Sequence, residues 1–553
     1  MIQNSFQKRP ARRTVAYHIR TVLLAAVSIA IFAANARAQR SFFRPGNLVV
    51  SRSVYDNNPS NVVPGQVLPP NCTTPPGGCG TAIQDGTYPF VWNNDSVDGS
   101  FGITSKIFLD QITADGSPVN TLEIPNSSQN GVLPTTNQMV TSFSSKSELA
   151  LNLSLDHQFL TFMGYFAPIN ALDVSNSNTP AAIDPTNPVP AAVLRVVATV
   201  DHNGNFKFTA TNAYSGNNGR AAILNNSDGA NFFYTSGNAG NGASPQPDGI
   251  IIGAGAQFVE PENAPLVAQS PGDPTPLGSF NITQLGNPPD KIGKDDNFRG
   301  LTIFNNVVYY TKGSGGNGIN TLYFVDSTGT ICTNASGIGL PSPSASLPVS
   351  PLVYDPLVLQ TKGLDPNNMC ILKGFPTALK STTAFPFGIW FASDSVVYVA
   401  DEGSGDNTFS STTHQYTVAA AQKTAGLQKW IFDSSTQTWN LAYTLQNGLN
   451  LGVPYIVPRY QTGTNPSTGL PWAPATDGLR NITGTLNKDG TVTIYAITST
   501  VSGNGDQGAD PNKLVEVTDD LAATTLPGTE TFTTLRAAGR LEVLRGVSYT
   551  PGT

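Results

Sequence analysis

The feature that most constrains this chain is a motif that returns along its length. From Glu148 the sequence reads ELALNLSLDHQFLTFMG and from Arg220 it reads RAAILNNSDGANFFYTSG, an ungapped match in which Asp156 meets Asp228 and Phe162 meets Tyr234. The pattern recurs with small length changes as RGLTIFNNVVYYTKG from Arg299, FGIWFASDSVVYVADEG from Phe387 and RNITGTLNKDGTVTIYAITS from Arg480. Half a copy, RGVSYTPGT, begins at Arg545. Each copy is an apolar strand, a turn carrying Asn, Asp or Gly, and a second strand rich in Val, Tyr and Phe, the pattern of a β-hairpin. A second pair of strands follows most copies, as in VLRVVATVDHNGNFKFTAT from Val193, TLYFVDSTGTI from Thr321 and LQKWIFDSSTQTWNLAYTL from Leu427.

Four antiparallel strands per unit, repeated about an axis, make an all-β fold of the β-propeller kind. The copy starts at 148, 220, 299, 387, 480 and 545 predict six blades, with a seventh conceivable inside an insertion. The half copy at Arg545 is expected to pair with NLVVSRSVY from Asn47, so that both chain ends build one blade and no long sheet edge stays open. A β-sandwich is the alternative, but it would not require complementary ends. The copies lie further apart than the usual 40 to 50 residues of a compact blade, so the loops carry insertions, with candidates at 168–190, 243–278, 332–375 and 452–477.

Composition agrees with this. Charged residues make up 12% of the 553-residue chain, against about 25% in an ordinary soluble domain, and 53 Gly and 42 Pro exclude helical bundles and coiled coils. A net charge of −7 argues against a nucleic-acid-binding surface. Residues 1–38 read as a signal peptide: a basic start, an apolar run over 21–34 and a small-x-small site, Ala36-Arg37-Ala38, before Gln39. Arg12-Arg13 leaves twin-arginine export open. The apolar run is shorter than the roughly 20 residues needed to span a bilayer, and no later segment of the sequence is apolar enough to do so. The expectation is therefore a single propeller domain over 39–553, secreted or periplasmic, monomeric and without a membrane span. Cys72, Cys79, Cys332 and Cys370 suit an oxidising compartment. Pairing of neighbours, Cys72 with Cys79 and Cys332 with Cys370, is the simplest of three connectivities.

Aligning the copies places Glu148, Arg220, Arg299, Phe387, Arg480 and Arg545 at one repeated position, the start of the innermost strand. Only eleven arginines follow residue 38, so four at one position exceed what composition gives. Innermost strands line the central channel, so these side chains are expected around its mouth, as a site for carboxylate, phosphate or sulfate. The competing reading is a clamp, each arginine bonding backbone carbonyls or a carboxylate such as Asp295, Asp296 or Asp477 of a neighbouring blade. Glu148 and Phe387 interrupt the series, an asymmetry that a specific ligand would require.

The second strand of each hairpin runs into glycine-rich sequence at SGNAGNG (Ser236), KGSGGNG (Lys312), DEGSGDN (Asp401) and SGNGDQGAD (Ser502). Such loops let backbone N–H groups approach a ligand. Their Asp401, Glu402, Asp406, Asp506 and Asp510 are candidate calcium ligands, with Asp95 and Asp98 a further possibility. Among the histidines, His157 and His202 fall in predicted turns, whereas His414 is a candidate for proton transfer. No G-x-S-x-G elbow, HExxH, P-loop or GxGxxG motif is present. Trp390, Trp430 and Trp472 are candidate stacking surfaces for a sugar, of which Trp390 follows the apolar alternation of an innermost strand and reads as core, and Trp472, in the exposed-looking GLPWAPATDG loop, has the best claim.

In its repeat geometry the chain resembles the secreted six-bladed propellers of the NHL and calcium-dependent lactonase type. It carries no WD, kelch or sialidase Asp-box repeat. Three functions remain open: binding of an anionic small molecule or acidic glycan at the channel mouth; a calcium-dependent hydrolase or lactonase with Glu148 as acid or base; and a non-catalytic extracellular interaction protein.

Overall fold

The fold is that of a computed structural model, which describes residues 41–68, 80–81, 102–126, 139–145, 148–243, 255–260, 297–313, 318–328, 331, 337–349, 369–504 and 507–553. Six antiparallel sheets make the blades of a propeller. Blade 1 is shared by the two chain ends, with Glu542–Tyr549 innermost, then Leu48–Val54, Thr104–Ile112 and Pro118–Glu123. Its closing register pairs Leu48 with Tyr549 and Val50 with Val547. From the inside outwards, blade 2 runs Asn152–Leu153, Phe159–Tyr165, Arg195–Asp201 and Phe206–Thr211. Blade 3 shows Gly219–Asn225, Phe232–Gly237 and Ala256–Val259 among the described residues. Blade 4 is Leu301–Phe304, Val307–Lys312, Thr321–Val325 and Met369–Ile371. Blade 5 is Pro386–Ser393, Val396–Asp401, Gly426–Asp433 and Thr438–Leu445, and blade 6 is Ala475–Leu486, Thr491–Val501, Lys513–Asp520 and Thr533–Ala537.

The hairpin turns follow from local chemistry. Asn305 and Asn306 both adopt positive φ, 47° and 59°, which a two-residue type I′ turn requires and Asn tolerates better than most residues. One expected hairpin is wrong. The stretch Thr321–Ile331 supplies only the third strand of blade 4, and the fourth is Met369–Ile371, beyond the insertion. Cys370 of that strand is disulfide-bonded, while Cys72, Cys79 and Cys332 lie outside the described residues, as do 1–38, Asp95 and Asp98.

Because each sheet is apolar on both faces, the core lies between blades. Blades 1 and 2 share Val49, Leu109, Phe162 and Val196, and blades 5 and 6 share Tyr398, Leu427, Leu479 and Ile494. Phe304 of blade 4 lies flat on Phe391 of blade 5, with ring centroids 4.6 Å apart and planes 5° from parallel. Each such buried side chain contributes about 1.5–3 kcal/mol.

Near the axis the innermost strands approach so closely that side chains give way to backbone. A Cβ on Gly300 would lie 1.9 Å from the carbonyl oxygen of Phe387, and one on Gly388 would lie 2.4 Å from that of Arg480. Each glycine directly follows a ring position. A repeated hydroxyl spans the same gap. Ser51 Oγ accepts from Gly546 N (2.8 Å) and donates to the Leu149 carbonyl (2.7 Å). Thr311 Oγ1 accepts from Gly300 N (2.8 Å) and donates to the Phe387 carbonyl. Thr161 donates to the Ala222 carbonyl and Ser236 to that of Arg299 (3.4 Å).

Strand alternation puts the links from second to third strand, and from each blade to the next, on one face. That face carries 166–194 in blade 2 and 446–474 before blade 6, whereas the blade 4 insertion joins that blade's third strand to its fourth and so leaves from the opposite face, which also carries tight turns such as that of Asn305 and Asn306. Among the described residues no helix is long and apolar enough to cross a membrane.

Candidate ligand pocket at the channel mouth

Four ring residues, Glu148, Arg220, Arg480 and Arg545, are charged and at most 6% exposed, and Phe387 is fully buried. Arg299 is only partly buried. Arg299 and Arg480 line one pocket of about 160 Å³ together with Gly313, Glu402, Gly403, Ser404, Gly405, Asp477, Ser499 and Gln507. The glycine-rich ends of the second strands of blades 4 and 5 and the loop of blade 6 therefore meet two ring arginines in one concavity. The fourth glycine-rich loop, after Ser236, packs instead against the blade 2 insertion, where Ala243 N donates to Thr186 Oγ1 (2.7 Å).

The arginines are held by neighbouring elements. Arg480 Nε pairs with Glu402 Oε2 at 3.0 Å, with side chains 7% and 11% exposed. Arg299 sits over the Phe387 ring, 5.9 Å from its centroid, so the apolar interruption of the series supports the arginine before it. Arg220 donates from Nη1 to Asn297 Oδ1 and to the Phe298 carbonyl, and its Nε has no hydrogen-bond partner. Arg545 donates to Ser53 Oγ (3.2 Å) and to the Phe143 carbonyl. Each of these arginines is therefore held by a neighbouring element, and Arg299 and Arg480 also line the pocket. Asp295 and Asp296 lie outside the described residues, and the carboxylate that holds Arg480 is Glu402 rather than Asp477.

Burial, and after it the like charge of Arg299, pull the Arg220 guanidinium well below its ordinary value, with Glu148 and Glu402 opposing. Arg299 is likewise lowered by burial, supported by Glu402 and opposed by Arg480. Arg299 is thus close enough to repel both Arg220 and, across the Phe387 position, Arg480, and arginine cannot relieve this by losing its proton. Glu148 is enclosed: Thr141 Oγ1 (2.7 Å), Ser142 N (3.2 Å), Asn218 Nδ2 (3.3 Å) and Tyr165 OH all donate to it.

Asp477 is the residue the sequence pattern undervalued. Its Oδ2 accepts from Gly405 N (2.7 Å) and its Oδ1 from Gln422 Nε2 (2.6 Å). Burial pushes it up to about 7; those two bonds oppose the rise, and Glu402 and Asp401 add to it. Asp401 is raised to about 6, chiefly by burial, although Phe385 N (2.8 Å) and Gly403 N (3.0 Å) donate to it. Asp510, raised to about 6 by burial, accepts from Tyr460 OH (3.0 Å). Asp406 is exposed and caps Thr408 N (2.8 Å), and Asp506 lies outside the described residues. Among the described residues no group of three or more His, Cys, Asp or Glu is gathered as a cation site.

His414 sits with φ 55° at the exposed tip of the hairpin joining Phe409–Ser410 to Gln415–Tyr416 and does not line the pocket. His157 and His202 occupy turns, as expected. Trp472 is not an exposed surface: it is 7% exposed and packs on Val457 and Tyr460, because the 446–474 insertion folds onto itself. Trp430 is core, stacked on Phe375 at 4.1 Å, whereas Trp390 is only partly buried. Arg195, outside the repeat, was not anticipated. Fully buried, it gathers the blade 2 insertion by donating to the carbonyls of Val193 (2.6 Å), Ser177 (2.8 Å) and Asn217 (3.0 Å).

No family model matches the chain, and no curated protein matches it. Among solved structures it is similar to an ulvan lyase of polysaccharide lyase family PL25, with 10% identity, 85% of this chain and 94% of that chain covered, and a TM-score of 0.29. It is also similar to the hemagglutinin-neuraminidase ectodomain of parainfluenza virus 5, with 10% identity, 96% and 95% coverage and a TM-score of 0.29. For the NanB sialidase of Streptococcus pneumoniae the identity is 9%, the coverage 92% and 79%, and the TM-score 0.20. These likenesses are too distant to carry an argument about chemistry, which rests on the site itself.

Proposed function

We propose that the protein binds an anionic small molecule or acidic glycan at the mouth of its channel, in the pocket lined by Arg299 and Arg480. One observation carries this reading: Arg299 and Arg480 line one concavity, where Arg299 meets the repulsion of both Arg480 and Arg220, with Glu402 and Glu148 among the charges that oppose it. An anion seated among them would relieve that repulsion, and forked guanidinium donors suit carboxylate, sulfate or phosphate. Gly403 and Gly405 bring backbone close to the same space. Export and an extracellular role belong to this reading through the N-terminal sequence.

The test is isothermal titration of the chain with citrate and with sulfate at fixed ionic strength, beside Arg299→Gln. The reading expects saturable binding that weakens at least tenfold in the variant. Binding that is absent, or equal in Arg299→Gln, would overturn it.

A further inference from the structure

The seam between blades 5 and 6 gathers two carboxyls around one cation. Lys429 and Asp519 have fully buried side chains and pair at 3.0 Å. Tyr398 OH donates to Asp519 Oδ2 and Tyr443 OH to its Oδ1 (2.7 Å), while Lys429 Nζ donates to Tyr443 OH (3.0 Å) and to the Asp520 carbonyl (2.6 Å). The Glu530 carboxyl is hydrogen-bonded to Asp519. Its Oε1 accepts from Asp520 N (2.9 Å), whereas its Oε2 is buried and no protein group donates to it. Among the described residues no cation pairs with Glu530. The ionisable groups that face it are Asp519 and Asp520 of blade 6 and Lys429, Tyr398 and Tyr443 of blade 5.

Two carboxylates in contact do not both ionise readily, and Lys429 neutralises only one of them. A hydrogen on Glu530 Oε2, donated to Asp519, gives that oxygen the partner it lacks. Burial and then the contact with Asp519 raise the Glu530 carboxyl, with Asp520 N–H and Lys429 opposing; against burial, bonds from Glu530, Tyr398, Tyr443 and Lys429 hold Asp519 low. The segment that carries Glu530 crosses between blades. Residues 521–532 join Lys513–Asp520 to the outermost strand Thr533–Ala537, the Glu530 carbonyl accepts from Asn447 Nδ2 (3.0 Å), and Phe532 N donates to the Asn447 carbonyl (2.8 Å). Phe532 is buried in the core that Tyr443, Leu445 and Val517 share. We infer that a proton shared by Glu530 and Asp519 is a latch that closes the 521–532 loop over the blade 5–6 seam, and that its loss as pH rises releases the loop. With the loop open, Glu530 returns to the range of a solvated carboxyl, about 4.3. The latch is therefore full below that range and weakens as pH climbs towards the raised value of the closed state.

The test is amide hydrogen exchange of the full chain, read by mass spectrometry on peptides covering 519–533 and expressed relative to the intrinsic rate at each pH. Peptides covering Gly219–Asn225 of blade 3 serve as the reference for a general loss of stability. The inference expects protection of 519–533, relative to the reference, to fall about tenfold or more between pH 5.5 and 8.5. In Glu530→Gln the side-chain amide donates to Asp519 at every pH and its carbonyl still accepts from Asp520 N, so the fall should be less than about threefold. A parent chain whose 519–533 protection holds to pH 8.5, or falls only in step with the reference, would overturn the latch. So would a Glu530→Gln chain that loses protection as the parent does. If Glu530→Gln does not fold, the parent profile decides by the same criterion.

Discussion

Replacing Gly300 by alanine tests how the blades are held at the axis. The added Cβ would lie 1.9 Å from the Phe387 carbonyl oxygen and 2.8 Å from Thr311 Oγ1. The nearer atom is backbone, so the innermost strands of blades 4 and 5 must separate by more than about 1 Å to restore an ordinary contact. That movement breaks the bond from Thr311 Oγ1 to Phe387 O. Overpacking costs about 1–3 kcal/mol and a buried carbonyl left unsatisfied about 1–3 kcal/mol more, so the loss should be about 4 kcal/mol in total. A chain of this length unfolds with an entropy on the order of 1 kcal/mol per kelvin, so the melting temperature would fall by only a few degrees. Urea unfolding followed by tryptophan fluorescence is therefore the better assay. Gly528→Ala is the control, since nothing lies within 4 Å of its Cβ, and it should stay within about 0.5 kcal/mol of the parent. A Gly300→Ala chain within about 1 kcal/mol of the control would refute the close-approach reasoning.

Further outcomes follow from the pocket. Arg480→Gln leaves Glu402 buried without its partner and should cost about 3–5 kcal/mol, with Arg480→Gln/Glu402→Gln recovering part of it in the same urea assay. Asp477 and Asp401 are raised in the folded state to about 7 and about 6, so folding takes up protons between pH 4 and 7. Their contribution to stability should then be full below about pH 4, be lost progressively as pH rises from 4 to 7 and level off above that, and Asp477→Asn should flatten the upper part of that slope. The same titration adds negative charge beside Arg299 and Arg480, so citrate affinity should weaken between pH 6 and 8 in the parent and change less in Asp477→Asn, as read by titration calorimetry.

Much of the architecture was legible because hairpins announce themselves locally. The FNNVV and DGTVT turns, the alternating strands and the half copy at Arg545 fix six units and their closure. Long-range choices were not legible: nothing near Val325 says that the strand beside it comes from Met369–Ile371, and the burial of Trp472 depends on Val457 and Tyr460. The ring position emerged from alignment, but the partners of each arginine are set by the packing of adjacent blades, which one strand does not encode. Asp477 reads like any acidic residue before an arginine until its burial is known. The hydroxyl spans were within reach, since Ser51, Ser236 and Thr311 each stand opposite the residue that follows a ring arginine.

The central claim is that an anion seats between Arg299, Arg480 and the Gly403–Gly405 backbone. The most direct measurement is a crystal structure with selenate, recorded at the selenium edge so that the ion is located by its own anomalous signal. The account predicts an anomalous peak in that pocket, within hydrogen-bonding distance of the Arg299 guanidinium and absent in Arg299→Gln crystals. Well-occupied selenate sites elsewhere, with this pocket holding only water, would contradict it.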